Sequence, residues 1–441
     1  MIAPARLAAY ETLLAVAHGG VDLPAALARA RRPLADERDR ARAGEIATGT
    51  LRWQAAFDHV VARFAKRDPR KLDREVLTIL RLSLFQLLHL DRVPAAAVVD
   101  DAVQMTRKAG KGSAAGFVNA LLRRASRERG RLPLPPEPRD RHDRDAAIDY
   151  LATTLSHPRW LAARWFDRVG YADAARWVEF NNDPAPLTLR ANTLRTTRDE
   201  LVETLAAAGV RVEPAAHAAE GLIVRAGNPL LTPLAHEGLF VVQDEASQLV
   251  GEFVRAQPGE TVFDACASPG GKTTQMAAMM RDEGRIVAAD VRARRIDLLT
   301  TTVRASGAAC VRVVQADARQ TLPFDRVFDA ALVDAPCSGL GTIRRDPDIR
   351  WRRSPEDFAG FAATQLAILN HAAAILRPGG RVVYSTCSSE PEENEAVVAS
   401  FLDTHATFEQ RGELRTLPFR DGLEAFYAAL LVDRPKVAVH C

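Results

Sequence analysis

Through the first 130 residues apolar positions recur every three or four residues, and no strand-type alternation interrupts them. Val76, Leu77, Ile79, Leu80, Leu82, Leu84, Phe85, Leu87 and Leu88 fall at helical spacing and predict a helix there. Pro94 breaks the pattern and is suited to start the next helix. A last helix covers 116–124, with Phe117, Leu121 and Leu122 on its apolar side and Arg123, Arg124, Arg127 and Arg129 crowding its end. Residues 131–145 are rich in proline and charge, a linker composition. Helices resume at 146–155 and, after Pro158, at 160–169. A strand at 187–191, a helix at 197–208 and strands near 210–212 and 221–224 then predict a small α+β subdomain within 146–242.

From 243 to 433 the text turns to alternating strands and helices. Strands are expected at 261–264, 285–289, 311–315, 330–333, 380–384 and 428–432, which predicts a doubly wound, mostly parallel α/β sheet. Residues 434–441 form a tail. Ligands of such sheets bind beyond the carboxyl ends of the strands.

Composition narrows the reading. A length of 441 residues calls for two or three domains. No apolar run approaches the roughly 18 residues that span a bilayer, and the first residues lack the pattern of a signal peptide. Five cysteines without C-x-x-C spacing argue against a disulfide framework or a zinc site, and for a reducing cytoplasm. We expect a monomer that uses no metal. Net charge is +3 but unevenly spread: residues 1–145 carry 27 Lys+Arg against 18 Asp+Glu, and the remainder is net acidic. A basic arm on an enzyme body suits nucleic acid, while an Arg-rich solvated surface would look the same. Lys108, Lys111, Arg123 and Arg124 are the candidate phosphate contacts.

The candidate chemistry sits at the expected strand ends. One segment is Asp264-Ala-Cys-Ala-Ser-Pro-Gly-Gly-Lys272-Thr. A P-loop needs glycine where Cys266 stands, and Pro269 removes a backbone donor, so Gly271-Lys272-Thr273 is a poor match for an ATPase. The G-x-G-x-x-G of a dinucleotide site is absent. An ordered set of acids favours S-adenosylmethionine instead. Gly270 and Gly271 let the backbone approach the methionine half. Asp290, ending the next strand, suits the ribose hydroxyls. Asp317, ending the third, suits the adenine amino group, and Asp334, ending the fourth, the methionine amine.

Two thiols follow strand ends fifty residues apart, Cys337 in Asp334-Ala-Pro-Cys-Ser-Gly and Cys387 in Ser385-Thr-Cys-Ser. C5 of cytosine is too poor a nucleophile to take a methyl group unaided. A thiolate adding at C6 makes C5 enamine-like. Lys272, the dipole of the helix after the glycines and the cofactor's charge are candidates to lower a thiol pKa. Asp334 and Lys272 also suit the O2/N3 edge of the ring. Chemistry alone leaves open which thiol attacks. Cys266 reads as a loop-packing residue whose backbone faces the cofactor, and Cys310 and Cys441 as small buried hydrophobes. An amino-group methyltransferase would show Asp-Pro-Pro-aromatic where Pro336-Cys337 stands. A non-catalytic RNA-binding or antitermination factor would leave the acids and thiols unexplained, and a tRNA methyltransferase would share the chemistry.

The chain resembles the Sun/Nop family of RNA 5-methylcytosine methyltransferases over nearly its whole length. Val242-Gln-Asp-Glu-Ala-Ser-Gln248, the 264–273 loop, Asp334-Ala-Pro-Cys-Ser-Gly339, Arg344-Arg-Asp-Pro-Asp-Ile-Arg-Trp351, Leu376-Arg-Pro-Gly-Gly380 and Tyr384-Ser-Thr-Cys-Ser388 occur in family order. Phe117-Val-Asn-Ala-Leu-Leu-Arg123 resembles a NusB-type RNA-binding domain. The combination resembles the members that methylate a cytosine of 16S rRNA. The resemblance implies an all-α NusB-like domain over 1–130, an RRM-like subdomain and a Rossmann-like catalytic domain. It implies Cys387 as nucleophile and Cys337 as the aid to product release. Cys266, Ala267, Ser268, Pro269, Gly270, Gly271 and Lys272, with Asp290, Asp317 and Asp334, would hold S-adenosylmethionine. Ser268 replaces a usual Ala, and Asp346 stands where His is common.

Overall fold

The computed structural model describes residues 2–434, so Cys441 and most of the expected tail lie outside the described residues. The chain forms two compact units. One holds the residues up to Pro184 together with Ile343–Arg352; the other holds Ala185–Thr342 and the residues from Arg353 onward.

The first unit is helical. Helix Arg74–His89 carries the apolar run, and Ile79, Leu80, Leu82 and Leu84 are fully buried at its centre. Helices Pro4–Ala17, Glu37–Arg52, Gln54–Ala65, Ala95–Lys108 and Ala115–Arg127 contribute to the same core. Pro94 caps the N-terminus of Ala95–Lys108, where its missing N–H costs nothing. Residues 132–143 form no helix or strand, yet Leu132 and Leu134 pack on that core. The helix expected at 146–155 is α-helical only over Arg144–Asp149 and continues as a π-helical turn, Tyr150–Thr154. There Leu155 N–H donates to Tyr150 O and His157 N–H to Ala152 O, each five residues back. Helix Arg159–Asn182 kinks at Gly170 (φ 76°), and Trp165 stacks on Trp177 at 4.4 Å.

In the second unit β1 (Thr188–Ala191), β2 (Arg211–Pro214), β3 (Gly221–Ala226) and β4 (Phe240–Val242) form an antiparallel sheet in the order β2-β3-β1-β4. Its helix Arg198–Ala207 starts at a capping box between Thr197 and Glu200. Strands β5 (Thr261–Asp264), β6 (Arg285–Asp290), β7 (Val311–Gln315), β8 (Phe328–Asp334), β9 (Leu376–Thr386), β10 (Phe408–Thr416) and β11 (Phe426–Asp433) form a larger sheet in the order β10-β11-β9-β8-β5-β6-β7. Five strands are parallel, and β11 and β10 add antiparallel pairs at one side.

Strand alternation divides the large sheet between two cores. Phe263, Val287, Ala331, Val333 and Val382 face helices Asp357–Ala374 and Glu395–Thr404. Val262, Ile286, Ala288, Leu332 and Val383 face helices Glu245–Phe253, Gly271–Met279 and Ala293–Ser306. Both faces are covered, so the carboxyl ends of the strands are where loops can build a site.

Candidate active site

The carboxyl ends of neighbouring strands β8, β5, β6 and β7 carry Asp334, Asp264, Asp290 and, two residues past the last, Asp317. Strands lie a little under 5 Å apart, so these four acids span roughly 15 Å of sheet edge. Between β5 and the Gly271–Met279 helix runs the 265–270 loop. Gly270 is its N-cap at φ 107°, and a Cβ there would sit 3.0 Å from Leu299 Cδ1, so glycine is required. Gly271 is under no such constraint, since a Cβ would meet Gln243 at an ordinary 3.4 Å. A cavity of about 250 Å³ lies against Cys266–Pro269, Gly271, Lys272, Asp264 and Asp334. Cavities of about 820 and 540 Å³ open elsewhere, but neither includes a cofactor-loop residue or a motif thiol.

Lys272 Nζ donates to Asp334 Oδ2 at 2.7 Å, and Ser385 Oγ to Asp334 Oδ1 at 2.9 Å. Burial opposes the charge on Lys272, but Asp334 outweighs it and holds the ammonium pKa above its usual value. Asp264 is pushed up to about 7 by burial, which its bond from Thr273 only partly offsets. Its Oδ1 and Asp290 Oδ2 are buried without a hydrogen-bond partner; Arg295 lies 3.7 Å from the latter. Asp317 is half-buried and paired with Arg319 at 2.7 Å, which holds its pKa down.

The two thiols meet. Asp334 and Ser385 are register partners, and Cys337 and Cys387 follow them by three and two residues. Their sulfurs are 3.2 Å apart and both residues are half-buried. Gly341 N–H donates to Cys387 O at 2.9 Å and ties the two loops together. The expectation of a cation-lowered thiol does not hold for Cys337. Its pKa is pushed well above the usual value by the bond to Cys387, then by burial and the charges of Cys387 and Glu393. Burial likewise raises Cys266, and it pushes Cys310 up to about 12, as befits packing residues.

Three contributors were not anticipated. Buried Arg190, on β1, donates to Gly271 O at 3.2 Å and Thr274 Oγ1 at 2.9 Å under the cofactor loop. Phe426 closes one side of the cavity, 5.6 Å from Lys272 Nζ. Buried Glu393 bridges the loops that carry the thiols. The 242–248 motif hinted at the first, because Arg190 reaches Gln243 at 2.8 Å.

The RNA candidates lie in the first unit. Lys111 is 3.4 Å from Asp73, Arg124 is 2.9 Å from Glu128, and Arg123 donates to Asn119 at 2.9 Å. Lys108 is exposed. Arg123 and Arg124 lie on helix Ala115–Arg127, Lys108 ends helix Ala95–Lys108, and Lys111 stands in the turn between the two helices.

Comparison with known proteins decides the family. Residues 252–432 match the family model described as 16S rRNA methyltransferase RsmB/F, 3–127 match the NusB family, and 157–230 match the RsmF/B-like ferredoxin-like domain. The chain is 33% identical to "Probable ribosomal RNA small subunit methyltransferase B" of Bacillus subtilis, over 87% of this chain and 88% of that protein. It is 34% identical to ribosomal RNA small subunit methyltransferase B of Pseudomonas putida, over 97% and 98%. The chain belongs to the RsmB/F family of 16S rRNA methyltransferases. The crystal structure of PH0851 matches 98% of this RsmB/F chain and 99% of its own, with a TM-score of 0.81 at 26% identity. The Sun/Nop resemblance and the three-part fold therefore hold, and the P-loop and non-catalytic readings fall.

As an RsmB/F protein the chain is a methyltransferase acting on ribosomal RNA, with S-adenosylmethionine as cofactor. Its residues fit that cofactor. Asp264 Oδ1, at the cavity, and Asp290 Oδ2, at the end of the neighbouring strand, are buried carboxylate oxygens without donors, and a ligand carrying positive charge and hydroxyl groups complements them. Among the described residues there is no cluster of three or more potential metal ligands, and no helix is long and apolar enough to cross a membrane.

Proposed function

We propose that this chain methylates C5 of a cytosine in 16S rRNA through a covalent bond between Cys387 and C6. The observation that carries the reading is the 3.2 Å approach of two thiols from separate strand ends, beside the Lys272–Asp334 pair. A single thiol suffices to attack; a second at hydrogen-bond distance suits the later release. S-adenosylmethionine supplies a methyl group on a positively charged sulfur.

Cys387 as thiolate adds to C6, its electron pair forming the S–C6 bond while the ring's double-bond pair moves towards C5. Lys272 and Asp334 hold the O2/N3 edge, and Lys272 stabilises the charge gathering there. Once C5 carries the methyl group it must lose its proton to a base. The C5–H pair then re-forms the C5=C6 bond and the S–C6 pair returns to Cys387. Cys337, held protonated, donates its S–H to the Cys387 sulfur and eases that departure. A thiol cannot reach C6 inside a stacked duplex, so the cytosine is single-stranded or flipped out. Asp290 and Asp317 would take the ribose hydroxyls and the adenine amino group, and Cys266–Gly271 the methionine half.

Methyl transfer to unmethylated small-subunit RNA, with 5-methylcytosine mapped by sequencing, tests the activity. Cys387→Ala should lose all detectable transfer and adduct. Cys337→Ala should accumulate a covalent RNA adduct on a denaturing gel, and absence of that adduct would reverse the two roles.

A further inference from the structure

The loops that carry the thiols share one buried acceptor. Glu393 ends a single turn, Pro391–Glu393, and is fully buried. Its Oε1 accepts from Ser338 N–H at 2.7 Å and from Gln365 Nε2 at 3.1 Å. Its Oε2 accepts from Ser338 Oγ and Ser388 Oγ, each at 2.5 Å. Ser338 directly follows Cys337, and Ser388 directly follows Cys387. The two hydroxyl oxygens are themselves 3.2 Å apart, so the serines meet beneath the sulfurs as the sulfurs meet each other.

The neighbouring side chain completes the grip. Asn394 Nδ2 donates to Ser388 O at 3.0 Å, and Thr386 Oγ1 donates to Asn394 Oδ1 at 2.5 Å. The residues on both sides of Cys387 are thus fixed from Glu393-Asn394. Gln365 also donates to Pro336 O at 3.1 Å, which fixes the residue before Cys337. Tyr384 OH, at the end of β9, donates both to Glu393 O and to Gln365 Oε1. A carboxylate suits this place because four donors converge on it. Glutamine would put an N–H2 against at least one of them.

We propose that Glu393 is a positioning residue that sets the separation of the Cys337 and Cys387 sulfurs. It is fully buried and does not line the cofactor-loop cavity, and its catalytic effect rests on the cysteine mechanism above. Its charge also helps keep Cys337 protonated, the state in which that thiol can donate to its partner.

The test uses the full-length enzyme and Glu393→Gln, with Ser388→Ala as a milder second variant. An error of about 1 Å in reacting groups costs about 100-fold, so kcat for Glu393→Gln should fall on that order while KM for S-adenosylmethionine stays within about twofold. Ser388→Ala removes one bond and should lower kcat about tenfold. A second readout needs no RNA: the rate at which diamide joins Cys337 to Cys387 should fall about tenfold in Glu393→Gln. An unchanged diamide rate in both variants would overturn the positioning role. So would a kcat loss matched by an equal rise in KM for the cofactor, which marks general disruption. If wild-type enzyme makes no 5-methylcytosine while the diamide rates fall as expected, the cytosine reading fails and the positioning role stands.

Discussion

Glu393 and Arg350 are both fully buried, and each is surrounded by neutral partners. Glu393 uses both oxygens twice, and its donors belong to the loops carrying the thiols and to the helix beside them. Arg350 donates to Ser156 O at 3.0 Å, Asn182 Oδ1 at 3.1 Å and Asn181 O at 3.2 Å, and its Nε has no partner. Burial, with Arg52 nearby, pushes its pKa well below the usual value. His157 beside it is held neutral by burial and by the Arg350 charge. Burying an ion costs several kcal/mol, so each must return something that an apolar side chain would not. Glu393 returns geometry at the reacting atoms. Arg350 returns attachment, because with the Trp351 indole N–H, which donates to Leu51 O at 2.7 Å, it fastens Ile343–Arg352 into the helical unit.

That contrast can be broken at several points. Arg350→Met should produce the largest stability effect, roughly 3–5 kcal/mol, by leaving three oxygens without a donor. A denaturant midpoint would show it, while the affinity for S-adenosylhomocysteine should stay within about twofold. If the midpoint does not move, Arg350 is not an anchor.

Asp346 offers a smaller test in the same segment. Burial, with Asp348 and Asp22 nearby, pushes it up to about 6 from 3.8. The folded chain therefore binds this proton more tightly than the unfolded chain. The contribution is intact below about pH 4, is lost as pH rises through about 6, and leaves a penalty above that. Asp346→Asn should remove the penalty, gaining roughly 1–2 kcal/mol near pH 7.5 and flattening the slope between pH 4 and 6.5. An unchanged slope would place the titration elsewhere.

Cations already paired at the surface should matter least. Lys111→Ala and Arg124→Ala remove cations already facing Asp73 and Glu128, and RNA affinity should change less than about threefold at physiological salt. A larger loss, with a shallower salt dependence, would show that these pairs open onto phosphate.

Much of the fold was legible because it follows periodicity. The strands expected at 261–264 and 311–315 are β5 and β7 residue for residue. β10 was not anticipated, since it is an edge strand, Phe-Glu-Gln-Arg-Gly-Glu-Leu-Arg-Thr, with a register shift between Gln410 and Gly412. The meeting of Cys337 and Cys387 was legible too, as two loops after neighbouring strand ends. Glu393 was not, because Ser388-Ser-Glu-Pro-Glu-Glu-Asn394 is polar apart from its proline and looks like a solvated loop. Its burial depends on donors that arrive from residues 338 and 365, which no local pattern reports. The same holds for Arg350, whose acceptors lie more than 160 residues upstream.

The place of Ile343–Arg352 has a consequence for how the protein is made. Synthesis runs from the N-terminus, so the helices up to Pro184 leave the ribosome well before the ten residues that complete their unit. Until then Leu51 O, Ser156 O and Asn181 O wait for donors that have not been translated. The first unit to emerge therefore cannot be the first to finish. Its last pieces come from the connection between the first thiol loop and the next helix of the catalytic half, so a nascent chain stalled before residue 343 lacks ten residues that belong to the helical unit.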